Sequence, residues 1–326
     1  MSEKSIFDQL HESPLSTERK QKLSSIFSGE ELPSLYYDVV AKHVFSPDLH
    51  PERMDFILQH VMMDPGIRVD RSAANEIYLQ NIYSKKTITD IPAWLKDHRL
   101  ADLGIQVAPQ DYIFDRTDIY SSNMLLLQYS AEANQPKSEI DYRNVNGSII
   151  IVLMAESPKQ FREYESSNYI HRITRARADS GLEFDLLKQM VFVQLDKALE
   201  HYISHKYNED EDIELLKLFA LIADINNEML IQESRTDDMI DGIREDVFRF
   251  SRSKEVQQMI LAEDLDIMMY NSNINLARSE GQADVVALFK WLFSQNREAD
   301  VRKATDDPVY LESLLQEYTQ TLTSAK

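Results

Sequence analysis

The stretch TITDIPAWLKDHRLADLGIQV (87–107) decides which fold we expect for this chain. It contains two short runs in which apolar and polar residues alternate, and the turn-like sequence Lys96-Asp97-His98 separates them. Alternation with a period of two is typical of a β-strand, and two such runs around a short polar turn predict a β-hairpin. Residues 87–107 are therefore expected to form two neighbouring strands.

Polar side chains on this hairpin suggest a functional site. Asp90 lies in the first run, and the second run places Asp102, Gly104 and Gln106 on one face because strand side chains repeat every two residues. The alternate residues of the second run, which point to the other face, are Ala101, Leu103, Ile105 and Val107. Neighbouring strands that direct an acid and an amide to one place indicate a functional site.

Two apolar runs indicate that the hairpin belongs to a larger sheet. SIIIVLM (148–154) is a nearly continuous β-branched run, which is typical of a strand buried on both faces, and MVFVQL (190–195) predicts a neighbouring strand. Helical spacing of apolar residues predicts helices between 32 and 63 and between 111 and 135. Strands interleaved with helices favour an α/β sheet sandwich over a helical bundle.

The chain divides into three predicted regions. Residues 1–30 are polar and serine-rich, which suggests a loosely attached arm, and 31–205 would form the α/β domain. Residues 206–326 follow an acidic run and are helical in period, so they predict an acidic, all-helical C-terminal region. A protein partner could bind through this last region.

Composition excludes several classes of protein. Seven glycines are few for 326 residues, and neither a G-x-x-x-x-G-K nor a G-x-G-x-x-G pattern occurs, which argues against a glycine-rich phosphate loop. The absence of cysteine excludes disulfides and thiolate metal sites. No run approaches the roughly 18 apolar residues of a membrane span, and no signal peptide is apparent. The sequence therefore favours a cytoplasmic protein without a membrane partner.

The net charge of −20 opposes non-specific binding to DNA, which is itself a polyanion. Residues 206–326 carry 13 Lys/Arg against 25 Asp/Glu and so contribute −12 of this charge. A nucleic-acid surface is therefore expected in the first 205 residues. The basic cluster there comprises His171, Arg172, Arg175 and Arg177 on a predicted helix face. These side chains could contact phosphates or could pair with carboxylates of the same chain.

Four segments together resemble the PD-(D/E)XK nuclease family transposases of the recombination-promoting nuclease (Rpn) type. The hairpin is similar to the family's Asp-Ile strand followed by a strand with Glu-x-Gln. The other three matching segments are YYDVVAKHVFSPDLHPERMDFIL (36–58), FDRTDIYSSNMLLLQY (114–129), and VLMAESPKQF (152–161) with YIHRITRARADSGLEFDLLKQMVFVQLD (169–196). The resemblance covers about 35–200 and implies a restriction-endonuclease-like mixed sheet flanked by helices.

The resemblance also implies a chemistry, namely cleavage of DNA phosphodiesters with Mg²⁺. Two carboxylates on adjacent strands hold the cation, while a Lys or Gln positions the attacking water. Asp90 matches the first carboxylate, Gln106 the lysine position and Asp38 the acid of the first helix. Without the resemblance, Asp38 would be interpreted as the partner of Lys42 in a surface ion pair. Metal binding would fall to Asp90 and Asp102.

The helix at 114–129 contributes two further candidates. Arg116 and Tyr120 lie four residues apart and so share one face of the helix. They could contact DNA phosphates, as could His171, Arg172 and Arg175, or they could pin the helix to the sheet. No second His or acid lies at metal-ligand spacing from His171. A structural role is therefore favoured for this histidine.

One departure from the family pattern bears on activity. The family has Glu where this chain has Gly104. A glycine offers no ligand, so the metal loses one anionic oxygen. Asp102 lies two residues away, about 6.5 Å along the strand, and would need a shift or bulge to replace it. The sequence therefore favours a weak or inactive nuclease. The alternatives are activity rescued by Asp102 or another acid, and a non-catalytic relative that binds DNA or a protein.

Overall fold

The structure is a computed structural model that describes residues 4–73, 90–133, 145–164, 166–206, 211–295 and 297–324. The chain forms two compact units, residues 1–261 and 262–326. The first is an α/β unit built on a six-stranded mixed sheet, which confirms the predicted α/β class and a mixed sheet.

Among the described elements, four helices open the first unit, and its six strands follow with two helices between them. The strands are β1 (Val69–Ser72), β2 (Asp90–Leu95), β3 (Leu100–Gln106), β4 (Ser148–Met154), β5 (Ile170–Arg177) and β6 (Glu183–Gln194). The helices in order are α1 (Ile6–Glu12), α2 (Thr17–Ser28), α3 (Asp38–Val44), α4 (Pro51–Met62), α5 (Ile113–Ala133), α6 (Lys159–Arg162), α7 (Leu195–Ile203), α8 (Ile213–Ala223), α9 (Glu228–Glu233), α10 (Asp238–Ser251), α11 (Lys254–Ser294), α12 (Glu298–Asp306) and α13 (Pro308–Ser324).

The sheet has the strand order β1-β2-β3-β4-β6-β5. Strands β1, β2 and β3 form an antiparallel meander, whereas β3, β4 and β6 run parallel. Strand β5 pairs antiparallel with β6 at one edge. Parallel neighbours need a crossover connection, which α5 supplies between β3 and β4.

The predicted hairpin is confirmed as β2 and β3. His98 adopts a left-handed conformation (φ 67°) in the turn, and its N–H donates to the carbonyl of Leu95 over 2.9 Å. Asp97 accepts from the Arg99 N–H over 3.0 Å, as a turn-forming Asp commonly does. Local residues therefore close this hairpin.

Strand β4 is the central strand that the apolar run predicted. All seven of its residues are buried, with parallel neighbours on both sides. Helix α5 covers one face of the sheet, where Tyr120 and Met124 pack against Ile150, Val152 and Phe192. Apolar contacts of this helix therefore set one wall of the region described below.

The prediction that the basic cluster lies on a helix is wrong. Residues 170–177 form strand β5, which pairs with β6 from Ile170 opposite Val193 to Arg177 opposite Glu183, with a bulge between Ile173 and Arg175. Strand β6 is also longer than the apolar run predicted, because its first half extends beyond β4. The outer ends of β5 and β6 form an exposed hairpin, called here the hairpin arm (175–187).

The N-terminal residues pack more closely than a loose arm would. Leu23, Ile26 and Phe27 of α2 are at most 2% exposed. The carbonyl of Phe27 accepts hydrogen bonds from Arg252 (3.1 Å) and Gln257 (3.3 Å) near the end of the unit. The first compact unit thus contains the predicted regions 1–30 and 31–205 and also the first part of the predicted region 206–326. The boundary between the two units lies between Leu261 and Ala262.

The second unit contains most of α11 together with α12 and α13. Its core comprises Leu288, Leu292, Ala304 and Leu314. Arg297 ties its helices together through Glu317 at 2.6 Å. As predicted, the described part of 206–326 is helical. Among the helices described, none combines the length and the apolarity needed to cross a membrane.

Candidate functional site

A small pocket lies between strand β3 and helix α5. Its lining includes four residues singled out in the sequence: Asp102, Gln106, Arg116 and Tyr120. Asp102 is 1% and Gln106 5% exposed. The other lining residues are Gly104, Ile105, Ile113, Thr117, Ile150 and Val152. The pocket offers about 30 Å³ to water, room for about two water molecules.

Strand periodicity explains why these residues meet. Asp102, Gly104 and Gln106 are alternate residues of β3 and all contribute to this one pocket, as the two-residue repeat predicts. On α5, Ile113, Thr117 and the predicted pair Arg116 and Tyr120 recur at helical spacing. Ile113 and Thr117 were not among the residues predicted for the site, although their spacing relative to Tyr120 places them on the same helix face.

Gln106 is held by the protein at both ends of its amide. Its Oε1 accepts from Arg116 Nη1 over 3.0 Å, and its Nε2 donates to the carbonyl of Ala108 over 2.8 Å. The same Arg116 nitrogen also donates to Gln110 Oε1 over 3.2 Å. Arg116 therefore fixes the amide of Gln106 against α5.

Three further polar contacts pin α5 to the sheet. Lys188 of β6 donates to Asp118 over 2.6 Å, and the hydroxyls of Ser121 and Ser148 lie 3.2 Å apart in the interior. Gln128 donates to the carbonyl of Gly147, directly before β4, over 2.6 Å. This polar row fixes the rotation of the helix and hence the positions of Arg116 and Tyr120.

The two predicted metal ligands lie on adjacent strands but in different pairs. Asp90 is paired with Gly104, and Asp102 with Pro92. Positions 90 and 102 are therefore diagonal neighbours, and such neighbours in an antiparallel pair lie about 7–8 Å apart. The side chain of Asp90 lies outside the described part of the chain.

The described side chains of the pocket fit Mg²⁺ incompletely. Magnesium requires oxygen ligands in near-octahedral geometry. Among the described lining residues, Asp102 is the sole carboxylate, Gly104 offers no side-chain oxygen, and the Gln106 amide is bonded at both ends. The Arg116 guanidinium adds a positive charge to the pocket, which opposes a divalent cation. No catalytic step through a metal follows from these side chains.

The other proposed DNA-binding residues lie on β5, and all three are engaged within the chain. His171 Nε2 lies 2.9 Å from Gln194 Oε1, and Arg172 Nε donates to the carbonyl of Val61. Burial lowers the pKa of the Arg172 guanidinium from its usual value. Arg175 lies on the hairpin arm, where its exposed side chain pairs with Asp185 at 2.9 Å. Both members of the Arg175–Asp185 pair are largely exposed.

Asp38 lies apart from the pocket. It begins α3, and its Oδ2 accepts from Lys42 Nζ over 2.9 Å in a half-exposed i,i+4 pair. Asp38 is not among the residues that line the pocket. The ion-pair interpretation of Asp38 and Lys42 is therefore confirmed.

Comparison of the chain with protein-family models, with curated proteins and with solved structures found no match. Functional inference for this chain therefore rests on the residues and their geometry.

Proposed function

We propose that this chain is a PD-(D/E)XK nuclease-like protein of the transposase type, derived from a mobile-element DNA endonuclease that used Mg²⁺. Its mixed sheet flanked by helices would be the restriction-endonuclease-like core. Cleavage of DNA is weakened or lost because Gly104 replaces the second carboxylate. Asp90 would remain the first metal ligand, with Asp102 as auxiliary acid.

The pairing of Asp90 with Gly104 across β2 and β3 carries this proposal. A cation that activates water for phosphodiester cleavage needs acids on adjacent strands, and positions 90 and 104 are directly opposed. Gln106 follows two residues later on β3, in the same pocket as Asp102 and Arg116. These relationships are the ones that an Asp…Glu-x-Gln site requires.

The hydrogen bonding of Gln106 supports the weakened form of this activity. Beyond its bonds to Arg116 and Ala108, the amide of Gln106 keeps one N–H and one oxygen lone pair. These two bonds fix its orientation, so turning the amide toward an attacking water would break them. The loss of the carboxylate at 104 and the fixed amide at 106 both act against catalysis.

A plasmid-nicking assay tests this proposal. Supercoiled DNA is incubated with the chain in Mg²⁺ or Mn²⁺, beside an intact nuclease of the same family and the variant Asp90→Ala. We expect slow nicking at most, and any nicking should disappear in Asp90→Ala. Cleavage as fast as that of the intact nuclease contradicts the proposal, as does nicking that survives in Asp90→Ala.

A second candidate function is non-catalytic binding of DNA or of a protein. The bond between Arg116 and Gln106 favours this non-catalytic function, because it places a positively charged guanidinium beside the predicted water-orienting amide. DNA could contact the hairpin arm through Arg175 and Arg177, which are both exposed. A protein could instead contact the C-terminal region, where Ile267, Met269 and Tyr270 are 45–62% exposed.

Fluorescence anisotropy with a labelled DNA duplex separates these partners. If the hairpin arm binds DNA, replacing Arg175 and Arg177 by Ala weakens binding and reduces the salt slope by about 1 per lost phosphate contact. The matched control is Arg249→Ala, because Arg249 is also an exposed arginine paired with a carboxylate. Failure of the wild-type chain to bind DNA at low salt leaves the protein partner.

A further inference from the structure

A second polar cluster lies outside the pocket, where α3, the start of α4 and α10 meet. His43 Nε2 lies 3.0 Å from Asp246 Oδ1, and His50 Nε2 lies 3.1 Å from Asp246 Oδ2. The two nitrogens and one carboxylate oxygen lie within 4.8 Å of one another. His43 and Asp246 are 203 residues apart in the sequence. The cluster therefore joins distant segments of the first compact unit.

The surroundings of His50 make this cluster unusual. Its Nε2 faces Asp246, while its Nδ1 lies 3.3 Å from Glu52 Oε1. A neutral imidazole has one N–H, so it can donate to one of these carboxylates and directs a lone pair at the other. A cation between Nε2 and Asp246 accounts for both contacts of the ring. With a cation there, the N–H on Nδ1 donates to Glu52, an arrangement that is usual for metal-binding histidines.

The distances are close to those of a transition-metal site. Zinc binds imidazole nitrogen and carboxylate oxygen at about 2.0–2.2 Å in tetrahedral geometry, which separates its ligand atoms by about 3.4 Å. The nitrogens of His43 and His50 lie 3.0 and 3.1 Å from Oδ1 and Oδ2 of Asp246, respectively. One candidate ligand atom from each of the three residues lies within 4.8 Å of the other two, so modest movement brings them to such separations. Two imidazoles and one carboxylate suit Zn²⁺ and similar ions, whereas Mg²⁺ prefers oxygen ligands alone.

Neighbouring side chains hold the three candidate ligands in place. The ring of His43 stacks flat on Phe250, with 3.8 Å between ring centroids. Arg53 Nη1 donates to Asp246 Oδ2 over 2.7 Å and to the carbonyl of Val44 over 3.0 Å. The charge of Arg53 opposes a cation here as that of Arg116 does in the pocket, but two imidazole nitrogens stand beside the carboxylate in this cluster. Hydrogen bonding of a ligating carboxylate by an outer side chain is common at metal sites. The ligand side chains are 20–26% exposed, so an ion can enter from solvent.

We propose that His43, His50 and Asp246 bind a divalent transition-metal ion of the Zn²⁺ class. The ion takes two Nε2 atoms and one carboxylate oxygen from the protein and completes its coordination with water. It clamps α3 and the start of α4 to α10. This site is separate from the Mg²⁺ chemistry proposed above and does not depend on it.

Zinc titration of the full chain tests this site. Protein freed of metal by a chelator is titrated with Zn²⁺ in competition with a chromophoric chelator, in excess Mg²⁺ so that the pocket near Asp102 does not contribute. We expect one Zn²⁺ per chain and a higher melting temperature on loading. Loss of an outer partner typically lowers metal affinity about 10–100-fold, so His43→Ala and His50→Ala should each lower it at least as much.

A matched control comes from α4 of the same chain. His60 also stacks on a phenylalanine, Phe56, and pairs with an aspartate, Asp212. His60→Ala should bind Zn²⁺ as the wild type does. Circular dichroism confirms that His50→Ala folds, so a loss of binding reports the site. Absence of saturable Zn²⁺ binding, or equal affinity of the wild type and His50→Ala, overturns the proposal and leaves hydrogen bonds alone to hold the cluster together.

Discussion

Arg116 donates from α5 to the amide oxygen of Gln106 on β3 over 3.0 Å, at the wall of the pocket that also contains Asp102. Gln106 is 5% exposed, so its oxygen depends on the protein for a hydrogen bond. The bond joins the crossover helix to the hairpin. It therefore bears on stability as well as on the chemistry of the pocket.

Replacing Arg116 by Met should destabilise the first compact unit. The buried oxygen of Gln106 would lose its donor, and an unsatisfied buried acceptor costs about 1–3 kcal/mol. Arg116→Lys keeps a donor and a positive charge, so it should cost less. Urea unfolding followed by circular dichroism measures both variants. Equal stability of Arg116→Met and the wild type would show that the bond contributes nothing.

Gly104→Glu should create a cation site. The new carboxylate would lie opposite Asp90 in the strand pair, where directly opposed residues have Cβ atoms about 4.5–5.5 Å apart. A buried and uncompensated carboxylate destabilises the protein, and a bound cation relieves that cost. We expect a lower melting temperature without metal and a marked rise with Mn²⁺, measured by differential scanning fluorimetry.

The control for this variant is Gly104→Gln, which has nearly the same size and no charge. It should show a lower melting temperature without the rise in Mn²⁺. A nicking assay on Gly104→Glu then tests whether the added ligand restores cleavage. An equal response of the Glu and Gln variants to Mn²⁺ would argue against a metal site at positions 90 and 104.

Two glycines should respond to alanine in opposite directions. Gly147 has φ +93°, and a Cβ there would lie 2.7 Å from the backbone oxygen of Leu187. Gly147→Ala should therefore destabilise the protein by at least about 1–2 kcal/mol, which is the cost of a left-handed conformation for a residue with a Cβ. Gly242 lies in α10 with open space around it, and Gly242→Ala should stabilise by about 0.5–1 kcal/mol.

Thermal unfolding monitored by circular dichroism compares these two variants with the wild type. The same substitution is made in both, so a difference in sign reports the backbone and its surroundings. A Gly147→Ala variant as stable as the wild type would mean that β6 moves away from Gly147 without cost.

The ion pair between Lys217 and Asp237 should give stability that depends on pH at both extremes. Burial acts to raise the pKa of Asp237, but the Ile240 N–H and the Lys217 ammonium, 3.0 Å away, outweigh it and hold the pKa below its usual value. Burial acts to lower the pKa of Lys217, but Asp237 and Glu214 outweigh it and raise the pKa. The pair is therefore fully charged near neutral pH.

The sign of each contribution follows from these shifts. Asp237 stabilises above its unfolded pKa of about 4, and this stability is lost as pH falls through the lower folded pKa. Lys217 stabilises below about pH 10.4, and this stability is lost as pH rises through the higher folded pKa. The variant Asp237→Asn keeps the helix cap. Between pH 5 and pH 3, its melting temperature should fall less than that of the wild type. A parallel fall would contradict this assignment.

Local sequence was sufficient to predict the hairpin and the central strand. Asp97 and His98 close the turn within a few residues, and alternation along β3 placed Asp102 and Gln106 on one face. The run 148–154 is apolar at nearly every position because β4 is covered on both faces. In each case the residues that determine the structure lie within the element itself.

Long-range contacts explain what the sequence did not reveal. Strand β5 lies at the sheet edge, and its outer half is exposed, so Arg175 and Arg177 give no apolar alternation. Pairing with β6 determines its strand conformation. His43, His50 and Asp246 come together only through the packing of α3 against α10. The spacing of two histidines by seven residues gave no sign of a third ligand so far along the chain.

The mixture of parallel and antiparallel pairs has a consequence for the order of folding. Hairpins β2–β3 and β5–β6 join neighbouring segments, whereas β4 pairs in parallel with strands far along the chain. Non-local pairing is slow because loop closure must precede it. We expect the hairpins to form first and β4 to dock between them last. The pocket needs walls from both β3 and β4. Any molecule that binds there could therefore bind only after folding is complete.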